Sequence, residues 1–572
     1  MEKPVLSVEN LSLDFHLRTH ILHAVRDVSF ELHRGRTLAL VGESGSGKSV
    51  TARALMRIVD KPGQMVGGRI ILRTQGQETD LAQLSADSRE VRAVRGARIG
   101  LIFQEPMSSL SPVHTIGSQI DEMVRLHVGL DKRAARDRTV ELLGQVEIPN
   151  PAEMANRYTF EFSGGMRQRA MIAMALACNP DILIADEPTT ALDVTTQAEI
   201  LDLIKRLQTE RGMAMLLITH DMGVVAEVAD DVAVMRFGRI VETAPVDQIF
   251  HAAQHPYTQR LLASTVKLEQ PAEVRAGIRP QPQPILSIEN LSKTYGSARG
   301  FMGGTKFAVK AVDDVSLTLH AGENLGIVGE SGSGKTTLGR LILRVVEPSA
   351  GRVLYRNRDG SEIDVTGLSK GGLRKFHADV RLIFQDPFAS LNPRMTIRQI
   401  VGDPLVVEGK LKPRQIEEKV AELLRLVGLS PDLMERYPHA FSGGQRQRIG
   451  IARALALDPR IIIADEATSA LDVSIRSQIL DLLLDIQQRL DLSFIFISHD
   501  ISVVRYFCDR VAVMHRGKLV EVGPAEKICT APEEAYTRSL ISAVPNPDPR
   551  NKRMLHRTRF SAVLNDNSLL TK

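Results

Sequence analysis

The sequence predicts two α/β domains in tandem, each built around a largely parallel sheet, and three observations carry that expectation. A phosphate-binding loop pattern occurs twice, as GESGSGKS at 42–49 and GESGSGKT at 329–336. Five further landmarks recur in the same order: PVLSVENLS (4–12) as PILSIENLS (284–292), IFQEP (102–106) as IFQDP (383–387), FSGGMRQR (162–169) as FSGGQRQR (441–448), ILIADE (182–187) as IIIADE (461–466), and ITHD (218–221) as ISHD (497–500). Together with the loops they mark a duplication. Within each copy a β-branched run (TLALVG, NLGIVG) precedes the loop and a helical pattern follows it, while ILIAD and IIIAD are apolar runs of strand length, as strands buried on both faces require.

The elements follow in chain order. The first copy is expected over 1–268, a proline-bearing linker over 269–284, the second copy over 285–545, and a basic, flexible tail over 546–572. The landmarks keep a spacing of 279 to 281 residues, whereas the loops stand 287 apart. The glycine-rich GSARGFMGGTK (296–306) takes up the difference as a loop insertion. Residues from about 107 to 160 and 388 to 440 read mainly as amphipathic helices, RAARDRTVELLGQV and IEEKVAELLRLVGL among them, so a helical subdomain is expected inside each copy.

Composition narrows the function classes. The 72 basic and 68 acidic residues leave a net charge of +4, too small and too interspersed for a nucleic-acid partner, and absence of Trp with 4% aromatics argues against base-stacking platforms. No run of 18 apolar residues occurs and the start lacks a leader pattern, so neither a spanning helix nor secretion is expected. Cys178, Cys508 and Cys529 lack C-x-x-C spacing, which leaves a disulfide framework, a zinc site or an iron–sulfur cluster without ligands and fits a reducing cytoplasm.

The repeated motifs point to phosphate chemistry. Gly42, Glu43, Ser44, Gly45, Ser46 and Gly47 lead to Lys48 and Ser49, and Gly329, Glu330, Ser331, Gly332, Ser333 and Gly334 lead to Lys335 and Thr336. Such a turn exposes backbone N–H groups at a helix N-terminus, its lysine reaches the β- and γ-phosphates, and its hydroxyl ligates Mg²⁺. Asp186 and Asp465 are expected to hold Mg²⁺, and Glu187 and Glu466 to orient or deprotonate the attacking water. Ser163, Gly164 and Gly165, like Ser442, Gly443, Gly444 and Gln445, open helical stretches and offer a second anion-binding geometry.

Phosphate loop, IFQ, SGGxRQR, ADE, ALD and hydroxyl-His-Asp, in that order over nearly the whole chain, resemble the ATP-binding-cassette (ABC) ATPases. The resemblance implies two ABC cassettes in tandem of the P-loop NTPase type, each a RecA-like α/β core with a β subdomain and an inserted helical subdomain. It implies ATP with Mg²⁺ as ligands, Gln104 and Gln385 sensing Mg²⁺ and the γ-phosphate, and His220 and His499 contacting the γ-phosphate. It also implies composite sites. Lys48, Ser49, Gln104, Asp186, Glu187 and His220 would work with Ser442, Gly444 and Asp472, and Lys335, Thr336, Gln385, Asp465, Glu466 and His499 with Ser163, Gly165 and Asp193. Phe15 and Tyr295 resemble the aromatics that stack on adenine, with core packing as the competing role. Two departures stand out: Met166 replaces the usual signature glutamine and lacks its polar contacts, and Ala467 replaces the usual proline.

QEPMSSLSP (104–112), QDPFASLNPR (385–394), HPYTQRLLAS (255–264) and AYTRSLISAVP (535–545) resemble the dipeptide, oligopeptide and nickel branch of ABC importers, and the fused form is similar to its twin-cassette peptide and glutathione members. This resemblance implies an ATPase that energises peptide uptake through ATP-driven closure, from the cytoplasmic side of a bacterial inner membrane. Two transmembrane permease subunits and an external substrate-binding protein are the implied partners. Ribosomal twin cassettes need a charged helical arm, and repair ATPases need zinc-binding cysteines or coiled coils; this linker and these cysteines supply neither.

Overall fold

A computed structural model describes residues 3–74, 76–105, 109–190, 192–272, 283–296, 308–386, 388–469, 471–558 and 560. Residues 273–282 of the expected linker, 297–306 of the loop insertion and 561–572 of the tail lie outside the described residues. The chain divides into two compact units, Met1–Thr265 with Val544–His556, and Val266–Ala543 with Arg557–Lys572.

In unit 1, β1 (Leu6–His16), β2 (Ile21–Leu32), β4 (Gly63–Thr74) and β5 (Gln77–Asp80) form an antiparallel sheet in the order β2-β1-β4-β5. A second sheet is made by β3 (Thr37–Val41), β6 (Ile99–Ile102), β7 (Ile182–Asp186), β8 (Ala214–Thr219), β9 (Asp231–Arg236) and β10 (Arg239–Pro245). Its order is β10-β9-β3-β8-β7-β6, parallel except for β10. Every residue of β3, β7 and β8 is buried, which is why these strands read as unbroken apolar runs. Alternation along β3 divides the core: Leu38 and Leu40 face Leu6, Leu11, Val25 and Leu55, whereas Ala39 and Val41 face Met222, Val225 and Tyr257.

The helical subdomain is realised as helices Ile116–His127 and Lys132–Gln145 with a short turn Pro151–Met154. Each long helix starts where its sequence supplies a cap, with Thr115 accepting the Ser118 N–H and Asp131 accepting those of Arg133 and Ala134.

Unit 2 repeats the plan. Its antiparallel sheet is formed by β11 (Pro284–Tyr295), β12 (Val309–His320), β14 (Ala350–Arg356) and β15 (Glu362–Asp364), ordered β12-β11-β14-β15. Its larger sheet is formed by β13 (Asn324–Val328), β16 (Val380–Ile383), β17 (Ile461–Asp465), β18 (Ser493–Ile497), β19 (Arg510–His515) and β20 (Lys518–Pro524), ordered β16-β17-β18-β13-β19-β20. The helical insert comprises Ile397–Glu408 and Pro413–Leu426.

Residues 546–556, expected to belong to a flexible tail, are packed in unit 1. Glu227, fully buried on helix Met222–Val228, accepts the main-chain N–H groups of Asn546, Arg553 and Met554 at 3.2, 2.8 and 2.9 Å. Arg550 reaches both carboxylate oxygens of Asp247, at 2.6 and 2.8 Å, and Met554 is fully buried. A buried carboxylate without these donors would be far more costly than the ordering of a short segment, so the segment is held. In unit 2 the residues after Thr265 are likewise fixed, Lys267 to Asp481 at 2.6 Å and Glu269 to Ser502 at 2.8 Å.

Candidate active sites

In both units the chemistry-bearing residues gather at the carboxyl ends of adjacent parallel strands. Reading across the sheet of unit 1, β6 leads to Gln104, β7 ends in Asp186 and Glu187, β8 leads to His220, and β3 runs into the loop 42–49. Strands β16, β17, β18 and β13 present Gln385, Asp465 with Glu466, His499 and the loop 329–336 in the same order. This crevice beyond the strand ends is where open α/β sheets bind ligands.

The phosphate loops have the shape their glycines allow. Gly47 and Gly334 open helices Lys48–Leu55 and Lys335–Ile342 at φ 105° and 104°, a left-handed backbone that glycine adopts without strain. Gly42 and Gly329 pass so close to the next strand that a Cβ would lie 2.2 Å from the Met235 carbonyl oxygen and 2.1 Å from that of Met514. Lys48 Nζ folds back to the carbonyls of Gly42 and Glu43 at 2.7 and 2.9 Å, and Lys335 Nζ to those of Gly329 and Glu330, both at 2.7 Å. The buried ammonium thus lies across the mouth of its own loop.

Beside each loop a hydroxyl meets a carboxylate. Ser49 Oγ donates to Asp186 Oδ1 at 3.0 Å, and Thr336 Oγ1 to Asp465 Oδ1 at 3.2 Å. Burial, with the neighbouring Glu187 charge adding to it, pushes Asp186 up to about 6 against the smaller pull of Ser49. Asp465 is raised for the same reasons, burial first and then Glu466. A buried carboxylate next to a hydroxyl is a hard-oxygen pair that can take a divalent cation. Among the described residues no group of three or more His, Cys, Asp or Glu could hold a metal ion.

The two glutamates are held differently. Glu187 and Glu466 sit at φ 46° and 48°, a backbone costing about 1–3 kcal/mol in a non-glycine residue, with their N–H groups fixed to Ile218 O and Ile497 O at 2.9 Å. His220 Nδ1 lies 3.0 Å from Glu187 Oε1, and Gln104 Nε2 donates to Oε2 at 2.8 Å. His499 Nδ1 lies 3.2 Å from Glu466 Oε1, and Gln385 Nε2 donates to Oε2 at 2.6 Å. Burial alone would raise Glu187, but the His220 hydrogen bond and charge, with Thr190 and Lys48, hold it down at about 2. Glu466 is lowered in the same way, burial being outweighed by His499, Lys335 and Gln385. Each site therefore sets a buried carboxylate beside a hydroxyl next to an ionised carboxylate held by two side chains, an arrangement that can bind a cation and orient a water molecule.

Signature residues cap helices. Ser163 heads Gly164–Ala175 and accepts the Met166 N–H at 3.3 Å; Ser442 heads Gly443–Leu455 and accepts the Gln445 N–H at 3.4 Å. Gln445 Oε1 accepts the Ser442 N–H in return at 3.1 Å, closing a reciprocal box for which Met166 has no oxygen. Gly165 and Gly444 are required by packing, since a Cβ would lie 2.8 Å from Thr196 Cγ2 and 2.6 Å from Ile475 Cγ2. Asp193 caps helix Val194–Arg211 by accepting the Thr196 N–H at 3.1 Å, and Asp472 heads helix Val473–Leu490.

Phe15 is half-buried against the core, whereas Tyr295 is 44% exposed with Lys293 Nζ 5.3 Å from its ring centre. Sequence reasoning missed Thr190, whose hydroxyl donates to Glu187 Oε2 at 2.9 Å; its counterpart Ser469 turns instead to the Glu466 carbonyl at 3.0 Å. It also missed roles for Tyr257 and Tyr536, although the repeated HPYT and AYT segments were visible.

The chain matches the family model described as ABC transporter at residues 25–190 and 312–469, and the one described as Oligopeptide/dipeptide transporter, C-terminal region, at 241–296 and 520–564. It is 49% identical to the glutathione import ATP-binding protein GsiA of Escherichia coli (strain K12) and of Shigella dysenteriae serotype 1 (strain Sd197), over 96% of this chain and 91% of each relative. Among solved structures, it is similar to a dimeric post-hydrolysis state of the ATP-binding cassette MJ0796 bound to ADP and Pi, at 30% identity and a TM-score of 0.37, covering 42% of this chain and 98% of that one.

Proposed function

We infer, from a chain that belongs to the ABC transporter family in its oligopeptide/dipeptide branch and is an ATP-hydrolysing transporter subunit, that it energises uptake of glutathione-like or other short peptides. One observation carries the catalytic part: in each unit taken alone, a glutamine and a histidine from neighbouring strand ends converge on the glutamate beside the phosphate loop. Lys48 and Lys335 bind the triphosphate, Ser49 with Asp186 and Thr336 with Asp465 hold Mg²⁺, joined by Gln104 and Gln385, and Glu187 and Glu466 orient the attacking water. Bound Mg²⁺ supplies charge neutralisation at the phosphates. His220 and His499 fix the glutamates and meet the γ-phosphate.

Identity to GsiA over nearly the full length supports the peptide cargo, as does the oligopeptide-type C-terminal region. Two permease subunits and an external binding protein are the proposed partners, with the chain peripheral on the cytoplasmic side of the inner membrane. Among the described residues no helix is long and apolar enough to cross a membrane.

Glu187→Gln with Glu466→Gln is the decisive variant. Nucleotide binding should persist while turnover and uptake vanish, and undiminished ATPase in the purified double variant refutes the assignment. Purifying the chain with its permeases and asking which peptide stimulates ATPase through the binding protein identifies the cargo.

A further inference from the structure

The repeated HPYT and AYT segments place one tyrosine in the first turn of helix Pro256–Leu268 and another in that of Ala535–Ser542. Each hydroxyl accepts a hydrogen bond from the same main-chain group of its own phosphate loop: Tyr257 from the Glu43 N–H at 3.1 Å, Tyr536 from the Glu330 N–H at 3.2 Å. Both rings are 4% exposed. Packing alone explains the burial, and a phenylalanine would serve it as well. It does not explain why a hydroxyl meets the second residue of the loop in both units.

The surroundings hold the tyrosines in place. The turn before each helix is pinned by a carboxylate that accepts two successive N–H groups, Glu242 from Gln254 and His255 at 2.7 and 3.1 Å, Glu521 from Glu533 and Glu534 at 2.9 and 3.1 Å. Over the ring faces lie the Arg236 guanidinium, 4.8 Å from the Tyr257 centre, and the His515 ring, 4.1 Å from that of Tyr536. Arg236 and His515 end β9 and β19, and the residues before them, Met235 and Met514, are those whose carbonyls leave no room for a Cβ at Gly42 and Gly329. The entry of each phosphate loop is therefore gripped from two sides, by a strand end and by a tyrosine from the C-terminal region.

We propose that Tyr257 and Tyr536 are positioning residues of the two ATP sites, fixing the entry of each phosphate loop through the Glu43 and Glu330 N–H groups so that the loop is shaped for a triphosphate before one arrives. The oligopeptide-type C-terminal region is on this view a working part of the nucleotide site. The inference rests on the reading of the loops as ATP sites given above. A loop freed from this bond spends part of its time in forms that do not bind, and apparent affinity falls by the fraction lost, while the reacting groups stay untouched.

The test uses the full-length chain with Tyr257→Phe, Tyr536→Phe and both together, keeping the rings and removing the hydroxyls. Loss of one such bond per site should raise KM for MgATP about five-fold with kcat within about two-fold. Hydrogen exchange should speed up at the amides of 42–47 and 329–334. Unchanged KM and unchanged loop protection, or a fall in kcat at constant KM, would overturn the proposal. Glu187→Gln with Glu466→Gln separates the two levels: turnover surviving in that variant sinks the ATP-site assignment itself. If that variant is inactive while the phenylalanine variants match the wild type, only the tyrosine inference falls.

Discussion

Replacing Glu227 tests how residues 544–556 are held in unit 1. One oxygen of this fully buried carboxylate accepts three main-chain N–H groups, from Asn546, Arg553 and Met554. Hydrogen bonds to a charged acceptor contribute about 1.5–3 kcal/mol each when apportioned singly. The three are not additive, because once the segment lifts away its N–H groups return to water. The loss is capped by the docking free energy of the segment, which also includes burial of Met554, and Glu227→Ala should cost about 3 kcal/mol of local stability. Amide exchange at Arg553 and Met554 should then accelerate roughly a hundred-fold, since about 1.4 kcal/mol is tenfold in an opening equilibrium. Glu227→Gln separates charge from geometry: its carbonyl can take the place of the accepting oxygen, and the second oxygen has no hydrogen-bond partner among the described residues to lose. Exchange in Glu227→Gln should rise by less than about ten-fold. Native protection of Arg553 and Met554 in Glu227→Ala, measured by exchange mass spectrometry, would refute this account.

Two other outcomes follow from the loops and signature helices. Met166→Gln gives the first signature helix the oxygen with which Gln445 closes its box, and should stabilise unit 1 by about 0.5–1 kcal/mol, read as a small rise in its melting temperature. A Cβ at Gly42 would lie 2.2 Å from the Met235 carbonyl, so Gly42→Ala should displace the loop and weaken ATP binding more than ten-fold, as equilibrium binding of a fluorescent ATP analogue would report.

Local pattern alone marks out part of this molecule. Unbroken apolar runs marked β7 and β17 because both faces of those strands are buried, and glycine spacing marked the phosphate loops because Gly47 and Gly334 need a left-handed backbone. The duplication made each motif vouch for the other. Tertiary structure alone decided which distant groups meet. Tyr257 lies 214 residues beyond Glu43, and Glu227 lies 326 residues before Arg553. The basic composition of the tail suggested solvation, because charge and periodicity describe how a segment meets water, not which buried carboxylate elsewhere requires its N–H groups. Thr190 and Ser469 occupy matching positions of the repeat, yet the hydroxyl of Thr190 faces the Glu187 carboxylate and that of Ser469 faces the Glu466 carbonyl. Burial preference is a property of single residues, but a hydrogen-bond partner is a property of the packed topology, and that information appears only when the strands are laid side by side.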